Sequence, residues 1–199
     1  CELIISTNSG LHNYESTKDA IKCSSLIIFP CPALFDPFSE LNDCYYTAPY
    51  GGNKSEYQNI QAHRPTTGDL LESLGISPIK DSKKLLIVAR ANSSRKGADI
   101  LLEALVLLNE IICKQAIPLS LQIVICGMIN EKEMQVRFQK VSRLLAGTNI
   151  VLRSKQFSQK EFSDLMAISD LFVMPSRLEG SSPAALEALW HEVPSIITE

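Results

Sequence analysis

From Lys84 onward, short runs of β-branched and other apolar residues alternate with longer runs whose apolar residues recur every three or four positions. No other feature constrains the fold as tightly. A strand, an amphipathic helix and a second strand bury all their apolar surfaces together only as a right-handed βαβ unit with parallel strands. Strands are expected at 85–88, 121–126, 150–152, 171–174 and 195–198. The first helix, 98–114, places Leu101, Ala104, Leu105, Leu108, Ile111 and Ile112 on one face. The second, 131–146, repeats this with Met134, Phe138, Val141 and Leu145, and Gly147 is a stop signal. A third begins at Ser158, whose hydroxyl can cap a backbone N–H while Glu161 reaches back, turning Phe162, Leu165 and Met166 to the core. The fourth starts at Pro183, where the missing N–H costs nothing, with Ser182 as cap and Leu186, Leu189 and Val193 as its buried stripe. The fold class is therefore α/β, a Rossmann-like parallel sheet with helices on both faces, preceded by the end of a second α/β domain.

The first part of the chain differs. Pro30, Pro32, Pro37 and Pro49 interrupt its apolar stretches, 24–29 and 45–48 still read as strands, and Tyr50-Gly51-Gly52-Asn53 is a strong turn signal. The polar, patternless stretch 51–65 has the composition of a linker. The division expected is 1–52 for the end of the preceding domain, 53–83 for the linker and entry segment, and 84–199 for the main domain. The chain opens inside an apolar run and stops on Ile196-Ile197-Thr198-Glu199, a run typical of a buried strand, so both ends read as cut.

Composition removes several function classes. With 45% hydrophobic and 21% charged residues the chain can bury a core, and its net charge of −3 is wrong for a general nucleic-acid binder, which needs surplus cations to displace counterions. No apolar stretch approaches the roughly 20 residues that span a bilayer. The six cysteines include no CxxC pair and read as reduced thiols of a cytoplasmic protein. His12, His63 and His191 lack metal-site spacing, and no phosphate-binding GxxxxGK[ST] or GxGxxG string occurs.

In an open parallel sheet, ligands bind beyond the carboxyl ends of the strands. After the first strand of the main domain come Arg90 and Lys96, a guanidinium and an ammonium in one loop, suited to a diphosphate. After the fourth come Glu179 in the loop and Glu187 on the helix, on either side of free N–H groups from about Gly180 to Ala184 that can hold negative charge. Taken singly, the first pattern is more often a solvated basic loop, and the second is more often acids favoured by a helix dipole.

The two strings together resemble a known family. The run from Leu85 through Gly97 to Leu105 is similar to the "GR…KG…LLEA" segment, and Phe172 to Ala188 to the "PS…EG…LEA" segment, of family 4 glycosyltransferases of the GT-B fold. Leu121 to Gly127 resembles "L.IVG.G", and Ser158 to Met174 resembles the capped helix plus "AD.FVLPS" strand. The resemblance implies a donor-binding domain and retaining transfer from a UDP-, GDP- or ADP-sugar to a glycan, lipid or small-molecule acceptor, without cofactor or metal. It implies that Arg90 and Lys96 bind the donor diphosphate and steady the leaving group, that Glu179 contacts the transferred sugar, and that Glu187 contacts the ribose. Glu179, Arg90 and Lys96 are thus the implied catalytic set. Backbone amides of Gly180, Ser181 and Ser182 would approach sugar and phosphate, and Gly127 and the loop at Gln156 complete the donor site. Such a protein would be cytoplasmic or at the cytosolic face of a membrane, with peripheral membrane association through its N-terminal domain.

This sequence also departs from the family pattern. Ala89 stands where Gly precedes the Arg, Ser182 where Gly is common, and the loop Arg153-Ser-Lys-Gln156 lacks a Gly. The family's Gly-Gly loop would follow Glu199, and the acceptor domain is represented only by its last part, Thr47 to Gly51 resembling the strand that leads into the hinge. A chain of this extent is expected to be inactive alone. The altered glycines keep a non-catalytic nucleotide-sugar binding module as an alternative, and a sugar-nucleotide epimerase is a further one.

Overall fold

The computed structural model describes residues 3–5, 22, 26–29, 40, 45–47, 67–76, 83–89, 91–177 and 182–198. The chain divides into two compact units, 1–52 with 179–183, and 53–178 with 184–199. In the first unit, β1 (Leu3–Ile5), β2 (Leu26–Phe29) and β3 (Tyr45–Thr47) form a parallel sheet in that order. Leu3 pairs with Leu26, and Ile27 with Tyr45.

The second unit opens with the short helix α1 (Thr67–Ser73), followed by β4 (Lys83–Ala89) and α2 (Ala98–Lys114). Next come β5 (Leu119–Cys126), α3 (Lys132–Leu145), β6 (Ile150–Lys155) and α4 (Gln159–Ala167). It closes with β7 (Leu171–Met174), α5 (Pro183–Trp190) and β8 (Ser195–Ile197). The strands form one five-stranded sheet in the order β6-β5-β4-β7-β8, with every pairing parallel.

Alternation along β5 divides the core into two layers. Leu121, Ile123 and Ile125 pack on one side with Leu101, Leu102 and Leu105 of α2 and Met134, Val141 and Leu145 of α3. Val124 and Cys126 face the other, with Phe162, Leu165 and Met166 of α4, Ala188 of α5 and Leu71 of α1. Side chains two apart on a strand share a face, so one interior strand contributes to both layers. Each fully buried Leu, Ile or Phe contributes about 1.5–3 kcal/mol of transfer free energy, which is what presses the helices onto the sheet.

The capping box at α4 is formed as expected. The Glu161 N–H donates to the Ser158 hydroxyl at 3.3 Å, and the Ser158 N–H donates to the Glu161 carboxylate at 2.7 Å. Donation from the Ser158 backbone N–H, and then from its hydroxyl, holds the Glu161 carboxyl below its ordinary range.

Several expectations are corrected. In α2, Leu102 is buried while Ala104 and Ile111 are exposed; seven residues apart, the latter two share one angular position just outside the stripe. In α5 the buried residue is Ala188, and Leu189 is 64% exposed, because the face nearest the sheet takes the small side chain and the next position turns outward. Strand β6 runs on through Arg153, Ser154 and Lys155, which the sequence assigned to a loop, since its backbone stays paired with β5 as far as Cys126 and Lys155. Strand β8, expected to be buried, pairs with β7 at the edge and exposes Ser195, Ile196 and Ile197. No helix among the described residues is long and apolar enough to cross a membrane.

Candidate functional site

Numbered within the second unit, the strand order is 3-2-1-4-5. From β4 the chain crosses to β5 on one side, and it returns to add β7 on the other, so β4 and β7 are neighbours with Val88 opposite Phe172. In open α/β sheets, ligands bind at such a switch point, beyond the carboxyl ends of the two neighbouring strands.

The segment after β4 tightens into a turn at 93–97. The Gly97 N–H donates to the Ser94 carbonyl at 3.1 Å, the Ala98 N–H to the Ser93 carbonyl at 2.9 Å, and the Lys96 N–H to the Ser93 hydroxyl at 3.3 Å. Gly97 has φ 71°, and a Cβ there would lie 1.8 Å from the Pro175 carbonyl oxygen. Only glycine satisfies both conditions. The turn is thereby pressed against the segment leaving β7, and half-buried Lys96 stands at its rim.

Two side chains fasten the turn from opposite flanks. Both carboxylate oxygens of Glu131, just before α3, accept the Ser94 N–H at 3.2 and 3.1 Å. Arg177, just after β7, donates Nη1 to the Ser94 carbonyl and to Asp99 Oδ1, and Nη2 to Asp99 Oδ2, each at 2.6 Å. Its own backbone N–H donates to the Arg95 carbonyl at 3.0 Å. The guanidinium beside it holds the Asp99 carboxyl below the usual carboxylate range, and Asp99 in turn raises Arg177.

Gly127 ends β5 with φ 118°, and a Cβ would come 2.6 Å from Asn92 Nδ2. The Gly127 N–H donates to the Lys155 carbonyl at 2.9 Å, and the Ser154 hydroxyl to the Gly127 carbonyl at 2.8 Å. Beyond β6, Gln156 is exposed at the same sheet edge. Lys155 Nζ donates to the Leu74 carbonyl and lies 5.4 Å from the Phe157 ring centre. Gln159, in the first turn of α4, donates Nε2 to Glu187 Oε1 on α5.

Of the residues singled out in the sequence, Lys96 lies in the turn between β4 and α2, and Gly127 and Gln156 directly follow β5 and β6. Glu187 is half-buried on α5, and half-buried Ser182 directly precedes that helix. Arg90, Glu179, Gly180 and Ser181 lie outside the described residues, as do His12 and His63. His191 is buried, with Nε2 3.1 Å from the Ser163 hydroxyl, a structural placement. Asp99, Glu131, Gln159 and Arg177 were missed. Arg177 and Asp99 are 78 residues apart, and no local spacing announces such a pair; the nearest signal was that both lie inside strings already marked. Among the described residues no group of three or more His, Cys, Asp or Glu could hold a metal ion, and neither Cys113 nor Cys126 is in a disulfide.

A doubly wound parallel sheet of this order is the fold seen in GT-B glycosyltransferases. The family model described as "GT4-conflict: Family 4 Glycosyltransferase in conflict systems" matches residues 54–199, and the chain belongs to that family. No curated protein matches it. Among solved structures it is similar to the UDP-forming α,α-trehalose-phosphate synthase of Burkholderia xenovorans in complex with glucose-6-phosphate, at TM-score 0.66 and 13% identity over 92% of this chain and 48% of that one. The trehalose-6-phosphate synthase OtsA matches at 0.68 and 14% over 94% and 48%. The Anabaena protein HepE, in complex with UDP and glucose, matches at 0.65 and 16% over 97% and 51%. At these identities the likeness carries the fold, and the chain spans about half the length of each.

Proposed function

We propose that the protein acts as a retaining glycosyltransferase, moving a sugar from a nucleoside-diphosphate sugar to a hydroxyl-bearing acceptor, with residues 1–52 belonging to an acceptor domain. The single observation that carries this reading is the adjacency of β4 and β7, which brings the Lys96 turn and the segment leading to Glu179 to one switch point. Membership of a glycosyltransferase family supports the reaction class. The solved relatives with UDP and glucose, or with glucose-6-phosphate, support a nucleotide-sugar donor and a sugar acceptor.

In the proposed reaction the bond from the sugar's anomeric carbon to the β-phosphate oxygen breaks, and the acceptor oxygen bonds to that carbon on the same face. The acceptor's proton passes to the departing diphosphate. Negative charge grows on the leaving oxygen, and cations fixed in advance stabilise it without reorganising. Arg90 and Lys96 are assigned that task, Glu179 the sugar hydroxyls and Glu187 the ribose. The backbone of Gly180, Ser181 and Ser182 is assigned to sugar and phosphate, and Gly127 and Gln156 to the phosphate and base side of the donor. Side-chain cations suffice in this scheme, so turnover is expected to survive chelation by EDTA. The reduced state of Cys113 and Cys126 is compatible with a cytoplasmic setting or the cytosolic face of a membrane.

The test uses the full-length protein with UDP-, GDP- and ADP-glucose and an acceptor panel, measuring nucleoside diphosphate released and the anomeric configuration of the product. Arg90→Ala and Glu179→Ala are expected each to lower turnover by about 100-fold or more. Near-normal turnover by both rejects the roles, and donor bound but left whole favours a binding module.

A further inference from the structure

We propose that Arg177 and Asp99 are positioning residues that lock the Lys96 turn to the segment leaving β7, so that the two sides of the diphosphate site keep a fixed separation. The inference rests on the donor-site reading above.

The Ser94 peptide is held at both ends, its N–H by Glu131 and its carbonyl by Arg177. The same guanidinium closes a two-pronged bond on Asp99 with both distances at 2.6 Å. The Arg177 main chain adds a bond to Arg95. Four donor–acceptor links therefore join the end of β7 to the turn 93–97 and the first turn of α2. Neither Arg177 nor the turn 93–97 lies in a helix or strand, so no ladder of repeating hydrogen bonds sets their spacing.

An exposed ion pair alone is worth little to stability, about 0–1 kcal/mol. This one differs in its shape and in what it joins. A planar fork matched to a carboxylate fixes direction as well as distance, which a lysine ammonium cannot do. Shared donation to Ser94 carries that direction into the backbone two residues before Lys96. Close contact at Gly97 and Pro175 stops the segments from approaching further, and the clasp stops them from parting. Electrostatic stabilisation of a leaving diphosphate falls steeply when its cation is displaced, and a misplacement of about 1 Å can cost about 100-fold in rate. The clasp is therefore expected to act on kcat more than on the folded state.

The experiment compares the full-length protein with Asp99→Asn and Arg177→Lys. Affinities are measured for UDP, GDP, ADP and inorganic pyrophosphate, the last reporting on the diphosphate site without a base. Kinetics are measured with whichever donor the wild type turns over, and hydrogen exchange is followed at the Ser94 and Lys96 amides. Both variants are expected to keep a melting temperature within about 3 °C of wild type, to exchange these amides faster, to bind pyrophosphate about tenfold more weakly, and to lose kcat by about 10- to 100-fold with a smaller change in KM. Arg177→Lys keeps the charge, so wild-type behaviour in that variant would reduce the clasp to simple electrostatics and overturn the proposal. Unchanged amide protection and kinetics in Asp99→Asn would overturn it too, and this nearly isosteric change carries the test should Arg177→Lys fail to fold. Wild-type protein that binds none of the four ligands overturns the donor-site reading itself, whereas wild type and variants binding alike overturns only the clasp.

Discussion

Gly97 meets Pro175 where a side chain cannot fit. A Cβ at residue 97 would lie 1.8 Å from the Pro175 carbonyl oxygen, and φ of 71° is a conformation other residues adopt only with strain. Gly97→Ala is therefore expected to destabilise by about 2–4 kcal/mol, combining backbone strain with displacement of one of the two segments. Urea unfolding measures the loss, and a change below 0.5 kcal/mol, the range of neutral surface substitutions, would mean the contact is looser than described.

Gln159 reaches across from α4 to the carboxylate of Glu187 on α5. If Glu187 receives the ribose, Gln159→Ala should weaken UDP binding by about three- to tenfold through loss of one charge-assisted hydrogen bond, while pyrophosphate binding is unchanged. Titration calorimetry with both ligands separates the outcomes, since equal weakening would trace the effect to the phosphates instead.

Leu165 is fully buried in the layer that α4 and α5 share. Leu165→Ala should cost about 2–5 kcal/mol, transfer and cavity terms together. Leu107, at 60% exposure on α2, serves as control, and Leu107→Ala should fall within about 0.5 kcal/mol of wild type.

The carboxyls of Asp99 and Glu161 are both held below their ordinary values, by Arg177 and by the Ser158 backbone respectively. A lowered folded-state pKa gives stability that is complete above the unfolded value, near about 4 for carboxyls, and that is lost as pH falls through the lowered value. Unfolding midpoints should hold steady from neutral pH to about 5 and then fall. In the double variant Asp99→Asn, Glu161→Gln the fall below pH 5 should be shallower, and an unchanged acid slope would show that other carboxyls govern it.

Much of the second unit was legible because its signals are local. Helix α2 was bounded at Ala98 and Lys114, and the Ser158–Glu161 box marked α4, since capping and period act over a few residues. Features that depend on neighbours in space were not legible. Polar Arg153 to Lys155 gave no strand signal, yet pairing with β5 extends β6 through them. Ala188 carries less hydrophobic signal than Leu189, yet proximity to the sheet decides which is buried. At the site, Lys96 and Gly127 could be named from the strings that contain them, but Arg177 and Asp99 could not, because only the closed sheet makes them partners.

The neighbouring pair β4 and β7 is also the costliest contact of the sheet to form. Ile87 and Leu171 pair across two intervening strands and three helices, while β4 with β5 and β5 with β6 join across one helix each. Ordering the long intervening chain must precede any gain from that pairing, so high contact order concentrates at the switch point. A nascent chain can therefore assemble β4 through β6 with their helices before β7 is in place. A weakened chain would in the same way lose the β4–β7 pairing first and its local βα units last.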